Sequence, residues 1–338
     1  MQEKRVALLA CSNGMGHARR LLALSLALSA QGAHPVLLAE EHKLRRLCQI
    51  YRLAMPEFVS FSSRTEQRDW MADGVPDWTT NLPDLEGFDV VVSDNLVEVL
   101  TFRPDAWLSG SFFWHCALED FPTAKVTHAE SLLRQYQPRM ISSSLFAAPY
   151  LHSTTRLSLV GLYAFPDTGV RADKTDFLVS CGTGGGVTEE AGDLVRQLAS
   201  GPQPICRTLW IEPSLYIEGM PPWMQPAPFS PAMYARLACA IIRPGVGTTS
   251  DVLLAGARVF SFYEPGNAEM STNAARVAAA GVGEDCKTAL RAWRAAVGFA
   301  ASPTARQAHY DAAMALNRDG AIQSATLILQ EAPVRQSQ

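Results

Sequence analysis

Residues 5–40 read RVALLACSNGMGHARRLLALSLALSAQGAHPVLLAE, and this stretch decides the fold. RVALLAC, residues 5–11, is a nearly unbroken apolar run, the pattern of a strand buried on both faces. A turn carrying Gly14 and Gly16 stops it. ARRLLALSLALSAQG, residues 18–32, then spaces leucine and alanine as a helix does and closes on Gly32, suited to the position after a helix end. HPVLLAE, residues 34–40, is a second apolar run. Strand, glycine turn, helix and strand in this order predict a βαβ unit and so a parallel sheet.

The plan extends and then repeats. FDVVVSD (residues 88–94) is a further strand that ends in an acid. TDFLVSCGTGGGVTEEAGDLVRQLAS (175–200) restarts the pattern of strand, glycine turn and amphipathic helix, and PICRTLWI (204–211) is its next strand. After a proline-rich loop, PPWMQPAPF (221–229), a helix begins at SPAMYARLA (230–238), with Ser230 as N-cap and Pro231 in the first turn. Residues 239–266 hold a strand, a glycine turn, a helix, a strand and a turn. The chain therefore divides into two α/β halves, 1–165 and 172–302, followed by an alanine-rich helical tail, 303–332. The polar stretch 63–87, with Trp70 and Trp78, lacks periodicity and reads as a surface excursion near the site.

A chain of 338 residues, 48% hydrophobic and 18% charged, has enough apolar content for two cores and is not a disordered chain. A net charge of −4 argues against a nucleic-acid surface, though it leaves room for a local basic patch and peripheral contact with a membrane. The seven cysteines stand singly, without metal spacing, and fit a reducing cytoplasm. LLAC (8–11) resembles a lipoprotein cleavage site, but the apolar run Val6 to Ala10 is too short for a secretory segment and reads as strand.

Three glycine turns each end a strand and begin a helix, and in an open parallel sheet such turns gather at the carboxyl ends of the strands, where ligands bind. A helix N-terminus presents unpaired N–H groups, and glycine lets an anion come close. In RPGVGTTSD (243–251), Arg243, Gly245, Gly247, Thr248, Thr249 and Ser250 form a candidate pyrophosphate cradle, with Asp251 in the first helical turn as a ribose acceptor. The same residues also read as a tight connection with a capped helix. Gly14 and Gly16 in the first turn, and Gly182, Thr183 and Gly184 in the second, are the other phosphate candidates. None of the three turns is a dinucleotide fingerprint or a P-loop.

IIRPGVGTTSDVLLAGARVFSFYEPGNAEMSTNAARVAAAGVG (241–283) resembles the nucleotide-binding segment of GT-B glycosyltransferases, in which two Rossmann-like domains with parallel sheets face across a cleft. By pattern it is similar to the group of the peptidoglycan N-acetylglucosaminyltransferase and the UDP-glucuronosyltransferase-like enzymes. The helix acid falls on Asp251, the AGA step on 255–257, the proline loop on Glu264-Pro265-Gly266 and the Asn-Ala on Asn273-Ala274. The family's acid–glutamine pair falls on Glu269 and Met270, so Glu269 and Asn273 are implied donor-sugar contacts and Met270 is a departure. NGMGHARR and CGTGGG match the loops that open the two domains. The resemblance implies an acceptor-side first domain, a nucleotide-sugar-binding second domain and a tail that packs back on the first. It further implies an inverting transfer from a UDP-linked sugar, with no metal and no cofactor beyond that co-substrate.

Such a transfer requires a stabilised leaving diphosphate and an acceptor hydroxyl that loses a proton. His17 near a helix N-terminus is expected to stay neutral, and reads either as the general base or as a donor-binding ring. Asp94 is the second catalytic candidate, to orient His17 or take the proton itself, and also reads as an ordinary turn residue at a strand end. Arg20 reads as meeting a phosphate, as pairing with an acid, or as a solvated cation on a helix face. The aromatic stretch FFWHCALEDF (112–121), with His115 and Glu119, is read either as core or as an acceptor lining. The spacing Gly14, Gly16, His17, Arg20 also resembles UDP-sugar hydrolases of nonulosonic acid synthesis, in which the histidine activates water. A protein that binds a nucleotide-sugar without turning it over is a third reading.

Overall fold

The computed structural model describes residues 3–63, 77–117, 123–165, 172–182 and 186–331. The chain forms two compact units, Met1–Phe165 with Asn317–Gln338, and Pro166–Leu316. In the first, the elements run β1 (Arg5–Ala10), α1 (Gly16–Ala30), β2 (His34–Ala39), α2 (Glu41–Tyr51), β3 (Phe58–Ser60), β4 (Val90–Asp94), β5 (Trp107–Ser109), α3 (Trp114–Ala117), α4 (Thr123–Tyr136), β6 (Arg139–Ser143), α5 (Leu151–Thr154) and β7 (Arg156–Val160). The second runs β8 (Asp176–Ser180), α6 (Thr188–Ala199), β9 (Leu209–Ile211), β10 (Met224–Pro226), α7 (Pro231–Arg236), β11 (Leu237–Ile242), α8 (Val246–Leu254), β12 (Arg258–Phe262), α9 (Ala268–Ala279), β13 (Gly283–Lys287), α10 (Ala289–Ala301) and α11 (Pro303–Met314). The chain then returns to the first unit through α12 (Gly320–Glu331).

The first sheet has seven strands in the order β3-β2-β1-β4-β5-β6-β7, and the second has six in the order β10-β9-β8-β11-β12-β13. All the described pairings within the two sheets are parallel. In both sheets the third strand from one end comes first in sequence, and the chain winds outward from it in two directions, as in a doubly wound fold. The near-continuous apolar strands follow from that plan, because helices cover both faces. Val6, Leu8 and Ala10 of β1 point into one core, and Ala7, Leu9 and Cys11 into the other. β1 lies inside the sheet with partners on both sides, so RVALLA is a buried strand, as read.

Two readings change. The tail is not one element: α11 stays with the second unit, where His309 donates from Nε2 to the Gly256 carbonyl at 3.2 Å and meets Phe299 edge to face. Only Asn317 onward joins the first unit, and there α12 buries Ala321, Ala325 and Ile328 against the sheet's core. The proline-rich loop 221–229 contains the edge strand β10, where proline is tolerated because one side of the strand makes no ladder bonds. No helix among the described residues is long and apolar enough to cross a membrane.

Candidate functional site

Where two adjacent strands send their connections in opposite directions, their carboxyl ends leave a crevice. In the first unit these strands are β1 and β4, paired with Ala10 level with Asp94. From β1 the chain turns through Gly14, whose φ of +79° is open to glycine and strained for other residues, into α1. His17 lies in the first turn of α1 and Asp94 ends β4. Their side chains meet, His17 Nδ1 to Asp94 Oδ1 at 2.7 Å. Arg20, one turn further along α1, grips the same carboxylate with both prongs, Nε to Oδ2 and Nη2 to Oδ1, each at 2.6 Å. Ser109, at the end of β5, donates to Oδ2 at 3.5 Å.

Asp94 has no exposed surface and His17 is 8% exposed. Burial works to raise the pKa of Asp94, but Arg20 and His17 outweigh it and hold the carboxyl below its ordinary range. An ionised carboxylate only accepts hydrogen bonds, so the proton of a neutral His17 ring sits on Nδ1 and the lone pair on Nε2. Both Asp94 oxygens are engaged, which makes this residue the partner that orients the ring. The alternative in which Asp94 itself takes a substrate proton does not fit its burial.

Arg19, next in sequence to Arg20, faces elsewhere: it donates to Tyr51 Oη at 3.1 Å and to the Tyr163 carbonyl at 3.2 Å, and its guanidinium lies over Phe165. Around the dyad, the Trp114 ring lies 5.9 Å from His17, and Phe112 packs edge-on against Trp114 at 4.8 Å. His115 stacks on Phe113, and burial lowers its pKa. Burial pushes the Cys11 thiol up to about 11, so it stays protonated. Trp78 packs against Phe61 and is core, not a site residue. Trp70 and Glu119 lie outside the described residues.

The corresponding strands of the second unit are β8 and β11, joined where Arg243 N–H donates to the Ser180 carbonyl. Gly245 is the N-cap of α8 in an extended conformation, and no side chain caps the helix. Its first N–H groups have no acceptor within the helix, and a Cβ at Gly245 would meet nothing within 4 Å. This is an open approach to a helix N-terminus, the arrangement that receives a phosphate. Gly247 and Thr248 are partly exposed beside it. Thr249 and Ser250 are buried, which removes two of the expected hydroxyls from solvent. Because α8 already starts at Val246, Asp251 falls in its second turn, not the first.

Arg243 is held by a two-pronged pair with Glu264, at 2.9 and 2.5 Å. Burial opposes the charge of Glu264, but hydrogen bonds from Arg243 and Asn267 hold its pKa down. Asn267 donates to the same carboxylate at 2.7 Å and caps α9, so the proline loop and α9 are tied to the β11 turn. A Cβ at Gly186 would come within 2.9 Å of Glu264 Cβ, which brings the second glycine turn to the same place. Glu269 is partly exposed in the first turn of α9 and acts electrostatically on Arg243. Asn273 departs from its expected role: it is buried and donates Nδ2 to the Pro244 carbonyl at 3.0 Å, bracing the turn from below. Met270 is also internal, packed with Tyr263 and Ala274, which accounts for an apolar residue there.

Thr183 and Gly184 lie outside the described residues. Gly182 has φ +70°, and its N–H donates to Glu212 Oε2 at 2.8 Å. The same oxygen accepts from Cys181 N–H at 2.7 Å and Ser180 Oγ at 2.8 Å. Sequence reasoning missed Glu212; its one signal is an acid directly after the apolar end of β9. Since this carboxylate already fills the concavity, the Gly182 amide is not open to a phosphate. Among the described residues no group of three His, Cys, Asp or Glu side chains gathers as a metal site.

No protein-family model and no curated protein matches the chain. Solved structures do match along nearly its whole length. The glycotransferase of kitacinnamycin is 15% identical, with a TM-score of 0.67, over 98% of this chain and 100% of that one. LpCGTa, solved with UDP, is 14% identical with a TM-score of 0.66 over the same shares. The Streptomyces glycosyltransferase SsfS6, solved with thymidine diphosphate, is 16% identical with a TM-score of 0.63, over 97% and 100%. At these identities the likeness speaks for architecture, and with two parallel, doubly wound sheets the chain has the GT-B fold.

Proposed function

We propose that this protein transfers a glycosyl group from a nucleoside diphosphate sugar to a hydroxyl acceptor. The observation that carries the reading is the His17–Asp94 pair at the crevice of the first sheet, with Nδ1 committed to the carboxylate and Nε2 left as a base. In the reaction the acceptor oxygen bonds to the anomeric carbon, the bond from that carbon to the diphosphate breaks, and the acceptor proton passes to Nε2. The leaving diphosphate is assigned to the N-terminus of α8, beside Gly245 and at the amides of Gly247 and Thr248, where helix N–H groups meet developing negative charge. UDP is the nucleotide and the sugar a hexosyl or N-acetylhexosaminyl group, in keeping with the sequence resemblance over 241–283 and with the UDP bound by LpCGTa. Glu269 is the sugar contact, the transfer inverts the anomeric centre, and no metal takes part.

Arg20 inside the dyad also favours a second reading, since it gives the Gly14, Gly16, His17, Arg20 pattern of UDP-sugar hydrolases a shared chemical unit. Thermal melting with UDP, thymidine diphosphate and a set of UDP-sugars tests the donor, because a ligand bound by the native state raises the melting temperature. Incubating the stabilising donor without acceptor then separates the activities: rapid, stoichiometric free sugar identifies the hydrolase. His17→Ala with full turnover would overturn both.

A further inference from the structure

The dyad carries one residue that the proposed transfer does not require. An imidazole beside a lone buried carboxylate is strongly favoured in its protonated form, because the imidazolium is the only countercharge. Here Asp94 is not alone: Arg20 places two hydrogen bonds of 2.6 Å on its two oxygens. Oδ1 is shared between Arg20 and His17, so both cations would compete for one charge. We propose that Arg20 is a positioning residue that offsets the charge of Asp94 and so keeps His17 able to accept a proton at lower pH than a bare His–Asp pair allows. The inference rests on the proposed role of His17 as base.

The other groups facing this carboxylate do not substitute for Arg20. Ser109 of β5 is neutral and its hydroxyl lies 3.5 Å from Oδ2. Cys11, after β1, is held as a thiol by burial. Tyr163 is buried, pushed up to about 12 by that burial, and shares a 2.6 Å hydrogen bond with Ser324 of α12, so it too is neutral. Arg19 turns to Tyr51 and the Tyr163 carbonyl, and Trp114, whose ring lies against His17, carries no charge. Among the described residues, the positive charge acting on Asp94 besides any on His17 thus comes from Arg20.

The experiment is a titration of the His17 ring by NMR in the full chain labelled at its seven histidines, with the His17 signal assigned by its loss in His17→Ala. It needs no substrate. Arg20→Met and Arg20→Gln remove the charge, and both are expected to raise the titration midpoint by about one to two pH units relative to the native protein. Arg20→Lys keeps a charge without the fork and is expected to stay within about half a unit of native. If Arg20→Met does not fold, Arg20→Gln decides, since its amide can still donate to Asp94. A midpoint in Arg20→Gln within about 0.3 unit of native, or one in Arg20→Lys that moves as far as in Arg20→Gln, overturns the inference. A native ring titration alongside full turnover by His17→Ala would instead sink the proposed function.

Discussion

Replacing Asp94 by asparagine tests the dyad where it is most constrained. The side chain keeps its shape, so no cavity forms. What changes is that one of two accepting oxygens becomes an NH₂ donor. In the native protein Oδ1 accepts from both His17 Nδ1 and Arg20 Nη2, and Oδ2 accepts from Arg20 Nε. Either orientation of the amide therefore sets a donor against a donor, at a site with no access to water to relieve it. The Arg20 charge also loses the Asp94 carboxylate in a nearly buried setting, and breaking such a pair costs about 3–5 kcal/mol. We take the lower end, about 3 kcal/mol, because Arg20 keeps slight exposure. For a unit of this size that lowers its melting temperature by roughly 6–12 °C. Catalysis falls further, because the imidazolium formed during transfer loses its countercharge and Nδ1 its acceptor; a decrease in kcat of about 10³–10⁴ is expected. Differential scanning calorimetry reads the first effect and a nucleotide-release assay the second. A variant that melts within about 1 °C of native and keeps more than half its turnover would refute the reasoning.

Gly245→Ala separates ligand binding from folding: its backbone is extended with φ −65°, and a Cβ there meets nothing within 4 Å. Native melting is expected, with UDP affinity by calorimetry at least about tenfold weaker, or 1.4 kcal/mol, since the methyl stands where the phosphate approaches; unchanged affinity would remove the diphosphate from α8. His309 gives the second unit a pH dependence. Burial lowers its pKa to about 4, so between its unfolded value of 6.5 and 4 the unfolded chain binds the extra proton. The stability it confers is complete above 6.5 and lost as pH falls, by about 2 kcal/mol at pH 5 relative to pH 7.5. Denaturant melts of native protein and His309→Gln should diverge by that amount, and parallel curves would refute the assignment.

The sequence was most legible where local chemistry repeats. Buried parallel strands have to be apolar on both faces, so β1, β2, β4, β8 and β11 announced themselves. The short edge strands β3 and β10, of three residues each, did not, since three residues carry no period to read. In α8 the pattern TTS suggested hydroxyl donors, yet helix geometry turns Thr249 and Ser250 inward. Asn273 looked like a sugar contact and braces a carbonyl instead.

Taken alone, the amino-acid order determined that two parallel sheets form, where each glycine turn falls, and that His17 stands at the head of a helix. These follow from periodicity and backbone freedom, which act over a few residues. That His17 and Arg20 share the Asp94 carboxylate, that Glu212 occupies the amides of the second turn, and that α12 returns to the first unit was decided by tertiary structure. The partners lie 74 or 77 positions apart at Asp94, and 30 or more at Glu212. Such pairs are fixed by which strands become neighbours, a choice settled by the burial of whole sheet faces and not by local residue preference.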